Sequence, residues 1–278
     1  RRIYHYTSLV QTYKSRYYQL MKATVIISIY KNVRALQAVL ESLKRQTEQD
    51  FELILSEDGE DKDMAAFVNG YLFPWQTQHL TQEDTGWRKE RALNRAVVAA
   101  HTDWLIFVDG DCVLHPRFVE MHIKYAQRGT ILAGKRVRLS AALSERVMQT
   151  GKVPCLLPYL ICPRGCRHVE EGFFLYSAQW LRRGAKHLIG SNMSLSRTDL
   201  MAINGFDENY LLPATGEDYD IEWRMQRNGC KIVSVKNLAV QYHLYHKENW
   251  TNHDENMVYC KQLQAANQIV CKNGIQKL

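Results

Sequence analysis

Apolar and polar positions fall into short alternating blocks along the first 115 residues. The run Ala23–Ile29 is almost wholly apolar and rich in β-branched residues, the pattern of a strand buried on both faces. Val33, Leu36, Leu40 and Leu43 then recur at helical spacing within 33–46. A second strand is predicted at 51–56, followed by an acidic turn at 57–63. Residues 89–100 place Ala92, Leu93, Ala96 and Val97 on one helical face, and 104–108 form the next apolar strand. Strand, helix, strand, helix, strand predicts an α/β fold: a mostly parallel central sheet flanked by helices, with ligands outside the carboxyl ends of the strands.

Beyond Pro116 the pattern loosens. A helix is predicted at 140–150 and regular structure at 191–204. A helix at 218–228, a strand at 231–235 and a C-terminal helix around 256–269 follow. The reading divides the chain into an N-terminal arm (1–20), two halves of one domain (21–125 and 126–246) and a C-terminal helical segment (247–278). Residues 1–20 hold five tyrosines without a period, and read as a basic aromatic arm or as a segment foreign to the folded unit.

Composition narrows the class. At 278 residues, 46% hydrophobic and 23% charged, the chain is an ordinary globular one that needs no covalent staple. No apolar run is long enough to span a bilayer, and the start carries no secretory signal pattern. Seven scattered cysteines make no disulfide framework, so a reducing cytoplasm is expected. Residues 1–20 supply +4 of the net +7, and the near balance of the rest excludes a dedicated nucleic-acid binder. It leaves open a basic face toward anionic lipid.

Four clusters carry chemistry. Asp109-Gly110-Asp111 ends the apolar strand 104–108, where two carboxylates on one side repel each other unless a cation lies between them; Mg²⁺ or Mn²⁺ would suit, as would a plain solvated turn. Ser56-Glu57-Asp58-Gly59 also follows a strand, and its acids could accept from a base or a ribose, or merely shape a glycine turn. Gly216-Glu217-Asp218 opens a helix, where one acid is explained by the free N–H groups and a second could be a general base. His243 and His246 would share one helical face and could ligate Mn²⁺. Cys162 and Cys166 with His168 hint at metal but lack a second pair. There is no nucleophile elbow, dinucleotide fingerprint or P-loop.

The ordered set of motifs resembles the inverting glycosyltransferases of family 2, which have the GT-A fold. The resemblance runs through FELILSEDG at 51–59, GWRKERALNRA at 86–96, WLIFVDGDCVLHPRFVEMH at 104–122, GSNMSLSR at 190–197, NGFDENY at 204–210, GEDYDIEWRMQRNG at 216–229 and YHLYH at 242–246. The GWRK and VDGDCVLHP segments are most similar to bacterial polysaccharide and chondroitin-polymerase-type domains, and the late GED…H pattern to galactosyltransferases. The resemblance implies that Asp58 contacts the nucleotide base, with Ser28 and Tyr30 forming the other wall. Asp109 and Asp111 match the DxD pair, His246 the late metal ligand, and His243 a position where relatives vary. Asp218 matches the general base, with Glu217 orienting acceptor or base. Arg88 and Lys89 are candidates for phosphate charge compensation, with a solvated helix start as the alternative. Asn192 and Asp207–Glu208 fall where sugar contacts are usual. Strand one ends Ser28-Ile29-Tyr30-Lys31, where many relatives have a proline and an asparagine after the tyrosine.

The implied activity is metal-dependent transfer, with inversion, from a nucleotide diphosphate sugar to a hydroxyl of a glycan or lipid-linked glycan in bacterial surface polysaccharide synthesis. The competing readings are a nucleotidyltransferase, which the glycine-free segment 30–35 disfavours, and a non-catalytic sugar-binding or scaffold protein. The expected partners are therefore donor and acceptor, with oligomeric state open. Residues 154–188 interleave aromatics with Arg164, Arg167, Arg182, Arg183 and Lys186, as expected either of a peripheral surface on the inner face of the cell membrane or of aromatics packing an acceptor lobe.

Overall fold

The computed structural model describes residues 22–176, 187–213, 215–247 and 254–278. Ten strands are described within them: β1 (Ala23–Ile29), β2 (Phe51–Glu57), β3 (Thr77–Leu80), β4 (Trp104–Asp109), β5 (Cys112–Leu114), β6 (Thr130–Ala133), β7 (Lys135–Arg138), β8 (Met193–Ser196), β9 (Lys231–Ser234) and β10 (Val240–His243). The described helices are α1 (Val33–Lys44), α2 (Lys62–Gly70), α3 (Lys89–Ala99), α4 (Phe118–Lys124), α5 (Ala141–Thr150), α6 (Leu157–Ile161), α7 (Arg197–Ala202), α8 (Ile221–Arg227) and α9 (Asp254–Ala265).

Seven strands form one sheet in the order β3-β2-β1-β4-β8-β6-β9. β8 runs antiparallel to both its neighbours, while every other described pairing in this sheet is parallel. The predicted halves 21–125 and 126–246 thus share a single sheet, joined where β4 pairs with β8. Its central strands are apolar on both faces because each face carries a core layer. Val25 and Ile27 pack beneath Leu36, Leu40 and Leu43 of α1, while Ile26 and Phe107 pack with Leu93 and Val97 of α3.

A second sheet of three strands, β5-β10-β7, stands at the carboxyl edge of the first. Gly110 makes the junction. Its N–H donates to the Ser28 carbonyl at 2.7 Å, and a Cβ there would meet Ile29 Cγ2 at 2.9 Å, so only glycine lets the chain turn this tightly from β4 toward β5.

Several predicted boundaries hold to within a few residues. Ser140 caps α5 as its hydroxyl accepts the Leu143 amide, and the turn Gly216–Asp220 is wound in π fashion before α8 begins. The helical placement of His243 and His246 does not hold: His243 ends strand β10 and His246 follows in irregular chain.

Candidate active site

The carboxyl ends of β1, β2 and β4, the start of α3, the small sheet and the Gly216–Asp220 turn enclose a cleft of about 760 Å³. Ser28, Tyr30, Asp58, Lys89, Asp109, Asp111, Glu217, Asp218, His243 and His246 all line it, so most of the residues singled out from sequence converge.

At one end, Asp58 accepts the Arg88 backbone N–H at 2.8 Å and the Gln82 side-chain amide at 2.7 Å, which fixes the start of α3. Lys89 then points into the floor of the cleft. Its Nζ lies 2.8 Å from Asp109 Oδ1 and 3.2 Å from Glu217 Oε1. Burial alone would lower the ammonium pKa, but the two carboxylates outweigh it and raise it. Burial likewise opposes ionisation of Asp109, and Lys89 and Arg136 hold its carboxyl below the usual range.

Asp111 faces the other way, toward the small sheet. Its Oδ2 lies 3.4 Å from Nε2 of both His243 and His246, and the three ligand atoms all lie within 4.8 Å of one another. One carboxylate and two imidazoles, with burial lowering the pKa of His243 toward the neutral ligating form, suit a divalent transition ion. Asp109, Asp111 and Cys112 form the other metal-capable group among the described residues, although Asp109 is already committed to Lys89.

The Gly216–Asp220 turn carries the candidate base. Burial, then the neighbouring Glu217, push the Asp218 carboxyl up from 3.8 to about 6. Its Oδ1 accepts the Tyr219 amide at 2.6 Å, and the residue lines the cleft. The turn is held from below by Asp220, whose Oδ2 accepts Arg224 Nε at 2.6 Å in a fully buried pair. Two glycines admit the acids: a Cβ on Gly190 would lie 2.4 Å from Glu217 Cγ, and one on Gly216 would lie 2.2 Å from Glu90 Oε1. Glu90 is fully buried with neither carboxylate oxygen hydrogen-bonded, and burial, then Glu217, raise its pKa well above normal.

Some candidates take other places. Asn192 is fully buried; its amide donates to the Lys135 and Ala239 carbonyls at 2.7 and 2.9 Å and its oxygen meets His122 at 3.1 Å, so it ties β8 to the small sheet and has no polar atom left for a sugar. Asp207 binds Tyr259, and Glu208 binds Asn94 and Lys277, so both brace the C-terminal segment outside the cleft. The Arg88 side chain turns back to the Glu83 carbonyl, so Gly86, Trp87 and Lys89 of the GWRK motif line the cleft and Arg88 does not. Cys162 is exposed and Cys166 is buried, its Sγ accepting the Ser140 amide at 3.4 Å, so the suspected Cys-Cys-His site is not assembled. All seven cysteines are free. Trp180, Leu181, Arg182, Arg183 and Lys186 of the expected lipid-facing segment, and the arm 1–20, lie outside the described residues.

Sequence reasoning missed Arg136 and Arg138, which line the cleft from alternate positions of β7 while Val137 between them is buried. Arg136 donates to Ser191 Oγ at 3.0 Å and stands 3.9 Å from Asp109. The basic-apolar-basic alternation of Arg136-Val137-Arg138 was the available signal.

Residues 24–203 match the family described as glycosyl transferase family 2, and 175–247 match that described as the N-terminal domain of galactosyltransferase. The amylovoran biosynthesis glycosyltransferase AmsB of Erwinia amylovora is 23% identical over 224 residues, covering 80% of this chain and 69% of that protein. Validoxylamine A glucosyltransferase of Streptomyces hygroscopicus subsp. jinggangensis is 30% identical over 233 residues, 76% of this chain but 52% of that protein, so the chain spans about half of its length. Among solved structures, S. aureus TarS 1-349 in complex with UDP-GlcNAc superposes with a TM-score of 0.61 at 16% identity, covering 88% of this chain and 66% of that one. GalNAc-T7 with UDP, GalNAc and Mn²⁺ gives 0.62 at 13% identity, covering 88% and 48%. The fold is therefore GT-A, and with well over half its length matched the chain belongs to glycosyl transferase family 2.

Proposed function

We propose that the chain transfers a sugar from a nucleoside diphosphate sugar, UDP-linked, to a hydroxyl of a glycan or lipid-linked glycan in surface polysaccharide synthesis, with inversion at the anomeric carbon. The observation that carries this reading is the meeting, in one cleft, of the Asp111–His243–His246 cluster with Asp218, a carboxylate whose pKa of about 6 suits a base working near neutrality. The relatives support it in kind: TarS is solved with UDP-GlcNAc, GalNAc-T7 with UDP and Mn²⁺, and AmsB is named for amylovoran biosynthesis.

Each residue then has a task. Ser28, Tyr30 and Asp58 form the walls at the base-binding end, and Asp58 also holds that end in shape through Arg88 and Gln82. Asp111, His243 and His246 would hold the divalent ion, Mn²⁺ being better suited than Mg²⁺ to two imidazoles. An ion held by these three residues would supply positive charge to offset that of a departing diphosphate. Asp109 keeps Lys89 charged and directed at the cleft, where Lys89 and Arg136 add positive charge for the same group. Asp218 takes the proton of the attacking hydroxyl, and Glu217, fixed by Lys89, orients the base from its side. No residue on these walls is called on for a covalent sugar intermediate.

The test is to incubate the protein with UDP-sugars, Mn²⁺ and candidate glycan acceptors, follow UDP release, and determine the anomeric configuration of the product by NMR. Release of UDP with an inverted product supports the reading. A retained configuration would overturn the single-displacement role of Asp218, and the absence of both turnover and metal-dependent UDP binding would overturn the transferase reading.

A further inference from the structure

The small sheet carries an excursion of the chain that nothing in the proposed reaction uses. It leaves the core at Leu156 and returns at Cys166, both buried in the cluster around β7 and β10. Its return is pinned by a two-way backbone bridge in which Arg138 and Arg167 exchange N–H···O bonds of 2.9 Å. Between these anchors the short helix α6 turns its apolar side chains outward: Leu157 is 59% exposed, Leu160 46% and Ile161 91%. Pro158 and Pro163 bracket Leu160 and Ile161, which fixes the backbone φ on either side of them.

Along the chain the charge between the flanking acids Glu145 and Glu170 has one sign. From Arg146 through Val169 the chain contains Arg146, Lys152, Arg164 and Arg167, all exposed, and no aspartate or glutamate. An apolar tip flanked along the chain by exposed cations complements an anionic bilayer surface, which takes the leucine and isoleucine side chains into its interface and pairs its phosphates with the basic residues. A protein partner would more often pair an apolar patch with a mixed polar rim. The position adds a consequence. Gly165 and Arg167 line a cavity of about 240 Å³ together with His243 and His246, so the protrusion borders the metal-side end of the cleft.

We propose that the protrusion 157–167 rests on an anionic membrane and holds the mouth of the cleft at the headgroup level, where an acceptor borne on lipid can enter. The docking itself needs only the patch; its service to transfer rests on the reading of the cleft given above. Because no helix among the described residues is long and apolar enough to cross a bilayer, the contact is peripheral and salt-sensitive.

The experiment is co-sedimentation with vesicles of phosphatidylcholine alone and of phosphatidylcholine with phosphatidylglycerol, at low and high salt, with no sugar nucleotide present. Wild type should sediment with the anionic vesicles at low salt, and release at high salt. Leu160→Glu/Ile161→Glu should abolish the binding. Lys152→Gln/Arg164→Gln should weaken it by about 25-fold, at about fivefold per cation. UDP–Mn²⁺ binding by each variant verifies the fold and keeps the donor site separate from the docking result. Wild type remaining in the supernatant, equal binding to neutral vesicles, or binding untouched by either double variant would overturn the proposal. So would concentration-dependent dimers that the Leu160→Glu/Ile161→Glu variant dissolves, since the patch would then be covered by a second copy.

Discussion

Replacing Asp218 with asparagine should make the protein more stable while removing transfer. Burial and Glu217 raise this carboxyl from 3.8 to about 6 in the fold, which corresponds to about 3 kcal/mol at 1.36 kcal/mol per pKa unit. The sign follows from linkage. The folded pKa lies above the unfolded one, so the folded chain holds the proton more tightly, and stability falls as pH rises from about 4 through about 6, then stays level. At neutral pH the ionised Asp218 therefore costs up to about 3 kcal/mol, an upper figure because part of the side chain meets solvent. Asparagine keeps an oxygen for the Tyr219 amide and carries no charge to bury. Urea unfolding without donor or metal should show Asp218→Asn more stable than wild type above pH 7, the gap roughly halved near pH 5, down to about a fifth near pH 4 and gone near pH 3. Transfer by wild type should fall about tenfold between pH 7 and pH 5 as the base protonates, and should be lost in the variant at every pH. A variant no more stable than wild type above pH 7, or a gap that widens on acidification, would refute the placement of an ionised, desolvated base at this position.

Other outcomes follow from the same geometry. Gly190→Ala would place a methyl 2.4 Å from Glu217 Cγ and displace that acid from Lys89; transfer should drop about 10- to 100-fold while UDP binding, read by calorimetry, stays within a few-fold. Arg224→Met leaves Asp220 buried beneath the catalytic turn without its cation, and should cost about 3–5 kcal/mol in urea unfolding. Glu90→Gln removes a fully buried carboxyl whose pKa burial, then Glu217, raise well above normal, so the variant should be no less stable than wild type in urea unfolding at neutral pH and should keep UDP binding near wild type; a clear loss of stability would contradict this account of the site.

The legible part of this fold is the part with a long period. β1, β2 and β4 show as apolar runs because helices cover both their faces, and α1 and α3 show because each buries one stripe. β5 and β7 are three and four residues long, so β5 shows no alternation and β7 only the single triplet Arg136-Val137-Arg138, and the second sheet they build was not anticipated. That gap explains the error at the histidines: spacing alone suggested a helix, whereas pairing with Cys112–Leu114 and Lys135–Arg138 makes Val240–His243 a strand and brings His246 round to Asp111 by the chain that follows. The acids of the site were readable because carboxylates at successive strand ends are costly without a cation to meet. Asn192 was not, since a buried amide spent on carbonyls and an amide waiting for a sugar look alike in one dimension. Glu90 and Gly190 lie inside motifs already noted, but their relation to Glu217 exists only in three dimensions.

The central claim, that the cleft holds a metal–diphosphate unit at Asp111, His243 and His246 and takes its general base from Asp218, is tested most directly by calorimetry of UDP binding with and without Mn²⁺ in wild type, Asp111→Ala and Asp218→Asn. Wild type should bind UDP in a Mn²⁺-dependent way. Asp111→Ala should lose that dependence, because it removes the carboxylate shared by His243 and His246, and Asp218→Asn should keep it nearly unchanged. Equal loss in both variants, or Mn²⁺-dependent binding that survives Asp111→Ala, would contradict the account.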